Sequence, residues 1–281
     1  MFICASCGTE YAEAEPPPAY CAICRADGRL QPTDRPAWTT LEEVQRRHEN
    51  LIQKLGLDLF SIRTIPRFAA GQRALLLRTD HGNILWGCLT LIDDSTVKTI
   101  HALGGLTAIA LSHPRHFSSV IEWSDAFGGV PVHIHATDRR WLMRSDPVVE
   151  YWDGDTRRLA GGDVTLVHVG NYGDGGTLLH WPAGSNGGGA LLTGDVVQVV
   201  DQQKHVGLLS NSRDLVPRSI EGVQKLVSEI DRFTFEALYD GWSDDAITDG
   251  ARGIVLESAH CYIAAVRGLH DRLDSRCSRI A

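Results

Sequence analysis

Apolar residues recur along this chain in short runs of strand length, broken by turn residues. Ala74–Leu77 and Ile84–Cys88 are two such runs, and Asp80-His81-Gly82-Asn83 between them is a hairpin signal. Ala108–Leu111 reads as a short buried strand and Val132–His135 as another. Further β elements are predicted at 150–153, 156–159, 164–168, 176–181 and 189–193, with glycine-rich turns between them. Helical spacing predicts helices over Ser95–Ala102, Ser118–Phe127 (ended by Gly128-Gly129), a short one around Asp138–Met143, Ser219–Ile230 and Asp249–Ser275. Upstream, Thr39 with Glu42 three residues on forms a capping box, which predicts a helix over 40–55 stopped by Gly56. Residues 57–66 look extended and are closed by Pro66. Two β-rich halves punctuated by helices, with a hairpin before the first βα crossover, fit an α/β fold of the αββα sandwich kind.

Composition narrows the class. The chain has 281 residues, 43% of them hydrophobic and 22% charged, enough apolar side chain for a real core. No run approaches the length of a membrane span, so no membrane association is expected. The start, Met-Phe-Ile-Cys, lacks the basic and apolar regions of a signal peptide, so the expected location is cytoplasmic. A net charge of −8 argues against nucleic acid as a partner, because backbone binding needs clustered Lys and Arg.

The seven cysteines point to a metal. Cys4 and Cys7, then Cys21 and Cys24, form two Cys-x2-Cys pairs separated by thirteen residues. Two residues between cysteines let both thiolates reach one ion from a tight turn, and two such turns complete a tetrahedral shell. Gly8 follows the first pair, where a zinc knuckle needs a permissive backbone. Residues 1–36 therefore read as a zinc ribbon holding a structural Zn2+, too short to fold without its ion. Residues 37–66 read as a linker helix and extended segment, and 67–281 as the αββα domain. Arg25, Arg29 and Arg35 are offset by Glu10, Glu13, Glu15, Asp27 and Asp34, so the ribbon is expected to be a structural flap or a homo-oligomer contact. Cys88 is expected in the core and Cys277 as an exposed thiol near the tail.

Open α/β sheets place ligands beyond the carboxyl ends of their strands. Three segments qualify: Ala110–Phe117, Val167–Gly173 and Leu191–Asp195. With Gly82-Asn83-Ile84-Leu85, Ser112-His113-Pro114 and Gly194-Asp195 in this order and spacing, the chain resembles the metallo-β-lactamase superfamily over about residues 70–245. Trp38–Glu43 (Trp-Thr-Thr-Leu-Glu-Glu) and Leu178–Gly184 (Leu-Leu-His-Trp-Pro-Ala-Gly) resemble the bacterial subgroup that carries a zinc ribbon before the hydrolase domain.

The resemblance implies a metal-dependent hydrolase and names where its ligands belong. The family's first motif, His-x-His-x-Asp-His, is matched by His113 alone; Arg115 stands at the second His, Phe117 at the Asp and Ser118 at the last His. Asn171 takes the place of the next ligand His, Asp195 matches the bridging Asp, and no His stands near Tyr239-Asp240-Gly241-Trp242. Gly87 occupies a position where an Asp is common. A catalytic zinc needs about three protein ligands plus water, and His113 with Asp195 falls short of that. Arg115 is a permanent cation, so the expectation is that its guanidinium replaces the metal and pairs with Asp195. His116 is a substitute ligand only if a tight turn brings it round. His133 and His135 share one face of a strand, away from this ligand set.

These residues lead to a hydrolase-like protein of that fold with a reduced or lost catalytic metal site. If active, it would use a second Zn2+ or Fe2+ held by His113 and Asp195, with His116 or water. That ion would act on a small-molecule ester, amide, thioester or phosphoester by polarising the bond and supplying hydroxide. The alternative is a non-catalytic descendant that binds a small molecule or a protein in the old pocket. A metal-free enzyme with His113 as base and Arg115 as anion clamp ranks last, because neither Ser112 nor Ser118 lies in a nucleophile elbow.

Overall fold

Tight turns at the N-terminus hang from a small three-stranded sheet. In the computed structural model, which describes residues 1–28, 37–170, 176–200, 205–208, 218–242 and 244–268, β1 (Phe2–Cys4) pairs antiparallel with β2 (Glu10–Tyr11) and with β3 (Trp38–Thr39). One turn of helix, α1 (Ala22–Ala26), is capped by Cys21, whose Sγ accepts from the Cys24 amide at 3.5 Å. Trp38 packs edge-on against Tyr11, ring centroids 5.1 Å apart, and covers the apolar side of this module.

The next segment departs from the sequence reading. The helix expected over 40–55 is only α2 (Leu41–Gln45), and its box is shifted by one residue: Thr40 Oγ1 accepts from the Glu43 amide at 3.3 Å. Thr39 Oγ1 instead donates to Glu43 Oε2 at 2.6 Å. Residues Glu49–Lys54 form β4, antiparallel to β5 (Leu59–Ile65) along its whole length. Pairing with β5 satisfies one edge of this backbone, which outweighs the modest helix preference of its residues. Glu49, Leu51 and Gln53 of β4 stay exposed, as suits an outermost strand.

β6 (Arg73–Leu77) and β7 (Ile84–Trp86) continue the antiparallel run. The chain then crosses over through α3 (Asp94–Ala102) to β8 (Ala108–Ala110), and through α4 (Val120–Ala126) to β9 (Val132–His135), which pairs with β10 (Val149–Trp152); all these pairings are parallel. The resulting sheet has seven strands in the order β10-β9-β8-β7-β6-β5-β4. Its core holds Ile62, Leu76, Leu85, Ile109, Phe117, Trp123 and Ile134, all buried. The helix expected near 138–143 is a 3-10 turn over Ala136–Trp141. Cys88 is buried in this core, as expected.

The second β-rich half holds β11 (Thr156–Leu159), β12 (Val164–His168), β13 (Thr177–Trp181), β14 (Ala190–Gly194), a small pair β15 (Gln198–Val200) and β16 (His205–Gly207), α5 (Ile220–Ile230), β17 (Ala237–Asp240) and α6 (Ala251–Val266). Its five-stranded sheet runs β11-β12-β13-β14-β17, with β14 and β17 parallel. Val223, Leu226 and Ile230 of α5 pack with Val255 and Ala259 of α6 and with Leu178, Leu191 and Leu238 of the sheet. The chain divides into two compact units: Met1–Gly154 with Arg158–Asp163, and Asp155–Arg157 with the chain from Val164 onward. Positions 269–275 of the expected last helix, and Cys277, lie outside the described residues. Among the described residues no helix is long and apolar enough to cross a membrane.

Candidate functional site

The four ribbon cysteines converge. Their ligand atoms all lie within 4.8 Å of one another and every one of the four residues is buried. Cys4 and Cys24 Sγ are 3.7 Å apart, Cys7 and Cys21 Sγ 3.5 Å. Thiolates at about 2.3 Å from a tetrahedral zinc sit about 3.8 Å from each other, so the donor set fits that ion. Hydrogen bonding with Cys24 pulls the Cys21 pKa down, and the same interactions with Cys21 push those of Cys7 and Cys24 up. Tyr11 supports the cluster: its hydroxyl donates to Cys21 Sγ at 3.3 Å and accepts from the Ala22 amide at 2.7 Å. Among the described residues this is the one group of three or more His, Cys, Asp or Glu able to hold a metal.

The loop after β8 carries His113, Arg115 and His116. His113 caps a 3-10 turn, Pro114–His116, and its Nδ1 accepts from the Arg115 amide at 3.3 Å. Pro114 at the first position of that turn lacks the amide hydrogen that would otherwise go unpaired. His116 is buried, with Nδ1 3.3 Å from where a Cβ on Gly87 would lie. Arg115 runs toward the ribbon. Its Nε and Nη2 donate to Asp27 Oδ2 and Oδ1 at 2.8 and 3.0 Å, a forked pair with side chains only 8% and 11% exposed. Asp27 directly follows α1, and its amide donates to Ile23 O at 2.9 Å.

Other ties join the ribbon to this loop and to neighbouring segments of the first unit. The Glu10 amide donates to Ser118 O at 3.2 Å, and Thr90 Oγ1 donates to Gly8 O at 2.9 Å. The buried Glu10 carboxylate accepts from Arg144 Nη1 at 2.6 Å, and Glu122 accepts from the same nitrogen. Burial still pushes the Glu10 carboxyl above its ordinary value. Ser118 is a support: its Oγ accepts from Gln72 Nε2 at 2.9 Å and donates to Cys88 O at 3.3 Å.

His113, Arg115 and His116 belong to the first unit and Asp195 to the second. Asp195 follows β14, half-buried, and its Oδ1 accepts from the indole Nε1 of Trp242. Trp242 lies just past β17, and its amide donates to Asp240 Oδ1 at 2.9 Å. Asp240 Oδ2 accepts from the Val199 amide at 2.8 Å. Asn171 lies outside the described residues. His133 and His135 are both buried and engaged: His133 Nδ1 is 3.5 Å from Glu150 Oε2, and His135 contacts Thr137 Oγ1 at 2.8 Å and Gly154 O at 3.2 Å.

Sequence reasoning missed the role of Asp27, which it counted only as a charge offsetting the ribbon's arginines. The usable signal was its place three residues after Cys24, where a ligand-bearing turn fixes the backbone. It also missed Trp242 as the donor to Asp195.

A scan against protein-family models finds no match. Among curated proteins, the uncharacterized protein YmaE of Bacillus subtilis (strain 168) is 35% identical over 267 residues, covering 94% of this chain and 96% of YmaE. Among solved structures, the DIM-1 metallo-β-lactamase exposed to ceftazidime gives a TM-score of 0.57 at 14% identity, over 77% of this chain and 98% of that one. A metallo-β-lactamase from Pontibacter korlensis gives 0.55 at 12%, over 76% and 99%. At these identities the likeness shows the fold, which is the metallo-β-lactamase-like α/β fold expected from the sequence.

Proposed function

Because this chain belongs to the same family as YmaE and carries the metallo-β-lactamase fold, we propose that it is a hydrolase-like protein of that fold with a structural zinc in its ribbon and a reduced or lost catalytic metal site. One observation carries this reading: Arg115, at the position of a family ligand, is buried in a forked pair with Asp27. A buried permanent cation raises the cost of placing a divalent ion beside it. Each unit keeps one residue of ligand type, His113 and Asp195. The first has its Nδ1 turned to a backbone amide and the second accepts an indole hydrogen bond.

Zinc at Cys4, Cys7, Cys21 and Cys24 supplies folding energy to a module too small to hold itself together. Four reduced thiolates as ligands suit a cytoplasmic protein. The chain either acts weakly on a small-molecule substrate (an ester, amide, thioester or phosphoester) or binds a small molecule or a protein partner without turnover. The Arg115–Asp27 pair favours the second of these, since a permanent cation held in a largely buried ion pair stands at the position of a family ligand.

Metal analysis tests the reading. Purified wild type should carry one zinc per chain. His113→Ala should keep it, and a Cys4→Ser, Cys7→Ser variant should lose it. A second ion per chain that disappears in His113→Ala would overturn the proposal.

A further inference from the structure

We propose that Asp27 is a positioning residue through which a metal ion bound by the four cysteines sets the conformation of the 112–118 loop. The inference rests on the metal reading of the ribbon and is independent of whether the protein hydrolyses anything. α1 is five residues long, and a helix that short does not persist without outside support. Its support is the cluster itself: Cys21 caps it and Cys24 lies within it. Asp27 ends it, with its amide on Ile23 O. An ion that fixes Cys21 and Cys24 therefore also fixes the Asp27 carboxylate.

That carboxylate grips both Nε and Nη2 of Arg115 in a largely buried pair. Arg115 is the middle residue of the turn that His113 caps, and its own carbonyl accepts from Gln72 Nε2 at 3.3 Å. The Glu10 amide on Ser118 O ties the far end of the same loop to β2 of the ribbon. Both ties originate within three residues of a cysteine ligand. Loss of the ion would release α1 and Asp27 first, leaving the Arg115 cation buried without this partner. With that forked pair gone, the loop loses the contact that holds the Arg115 side chain against the ribbon.

The test uses the full chain, with bound zinc measured in every sample. Arg115 is labelled with phenylglyoxal and backbone hydrogen exchange is followed over 112–118, in zinc-loaded protein, in protein stripped by a chelator under reducing conditions, and in zinc-loaded Asp27→Asn. Stripping should raise Arg115 labelling and loop exchange about tenfold or more. Asp27→Asn should do the same while keeping one zinc per chain. Zinc-loaded Arg115→Gln, which attacks the pair from the other side, should show the same faster exchange over 112–118. Zinc lost on stripping with no change over 112–118 overturns the proposal while leaving the ribbon's metal intact as a finding. So does an Asp27→Asn protein that keeps its zinc and its slow exchange, or one that loses the ion, since the carboxylate would then serve the ligand shell. Wild type that binds no zinc overturns the metal reading itself.

Discussion

Arg115 and Asp27, 88 residues apart in sequence, meet in a forked ion pair whose side chains are 8% and 11% exposed. Breaking such a pair from one side strands a charge, whereas replacing both ends with apolar groups is far cheaper. Arg115→Met and Asp27→Leu should each destabilise by about 3–5 kcal/mol, and the double variant by much less than their sum. Urea unfolding of the four proteins with zinc present gives the coupling. Strict additivity would mean the pair contributes nothing specific.

Gly8 should tolerate no side chain. It has φ +83, and a Cβ there would lie 2.3 Å from Thr90 Oγ1, which donates to Gly8's own carbonyl. Gly128 has nearly the same φ, +84, with nothing within 4 Å. Gly128→Ala should therefore cost about 1 kcal/mol from the backbone alone, and Gly8→Ala about 2–3 kcal/mol, with the added part coming from the clash. Thermal unfolding of the two variants side by side separates the terms.

Stability should depend on pH through Asp138. Burial pushes its carboxyl from 3.8 up to about 7, and Oδ1 has no hydrogen-bond partner among the described residues. The folded chain thus keeps a proton that the unfolded chain has lost between about pH 4 and 7. The stabilisation is complete below pH 4 and falls away as pH rises through 7. Asp138→Asn, which cannot ionise, should flatten this slope and be more stable than wild type at pH 8 by an amount on the order of 1–4 kcal/mol. Equal slopes in the two proteins, from denaturation at pH 5 and pH 8, would reject the assignment. Glu10 shifts in the same direction but is common to both proteins, so the comparison isolates Asp138.

Trp242→Phe should cost about 1–2 kcal/mol, because the half-buried Asp195 carboxylate loses its indole donor while the ring's packing is largely kept. Unfolding of Trp242→Phe against Asp195→Asn, Trp242→Phe checks it. The cost should shrink in the second background.

Much of this fold was legible in local pattern. The β6–β7 hairpin, the β8 and β9 crossovers and the five strands β10–β14 follow short apolar runs bounded by turns, and the cysteine spacing alone identified the cluster. The stretch from Leu41 to Leu55 was misread because its apolar positions, 41, 44, 51, 52 and 55, suit a helix about as well as a strand. Only β5, running antiparallel beside it, decides the matter. The pairing of Asp27 with Arg115 was overlooked for a related reason. A buried arginine signals that some carboxylate must meet it, but nothing near Arg115 in sequence says which. The partner lies 88 residues upstream, in the module that carries the four cysteines.

One metal centre, at the ribbon, should serve the whole chain. An anomalous-scattering map at the zinc edge, from crystals grown with zinc in excess, tests it most directly. A single strong peak is expected, among Cys4, Cys7, Cys21 and Cys24. A second well-occupied peak ligated by His113 or Asp195 would contradict it.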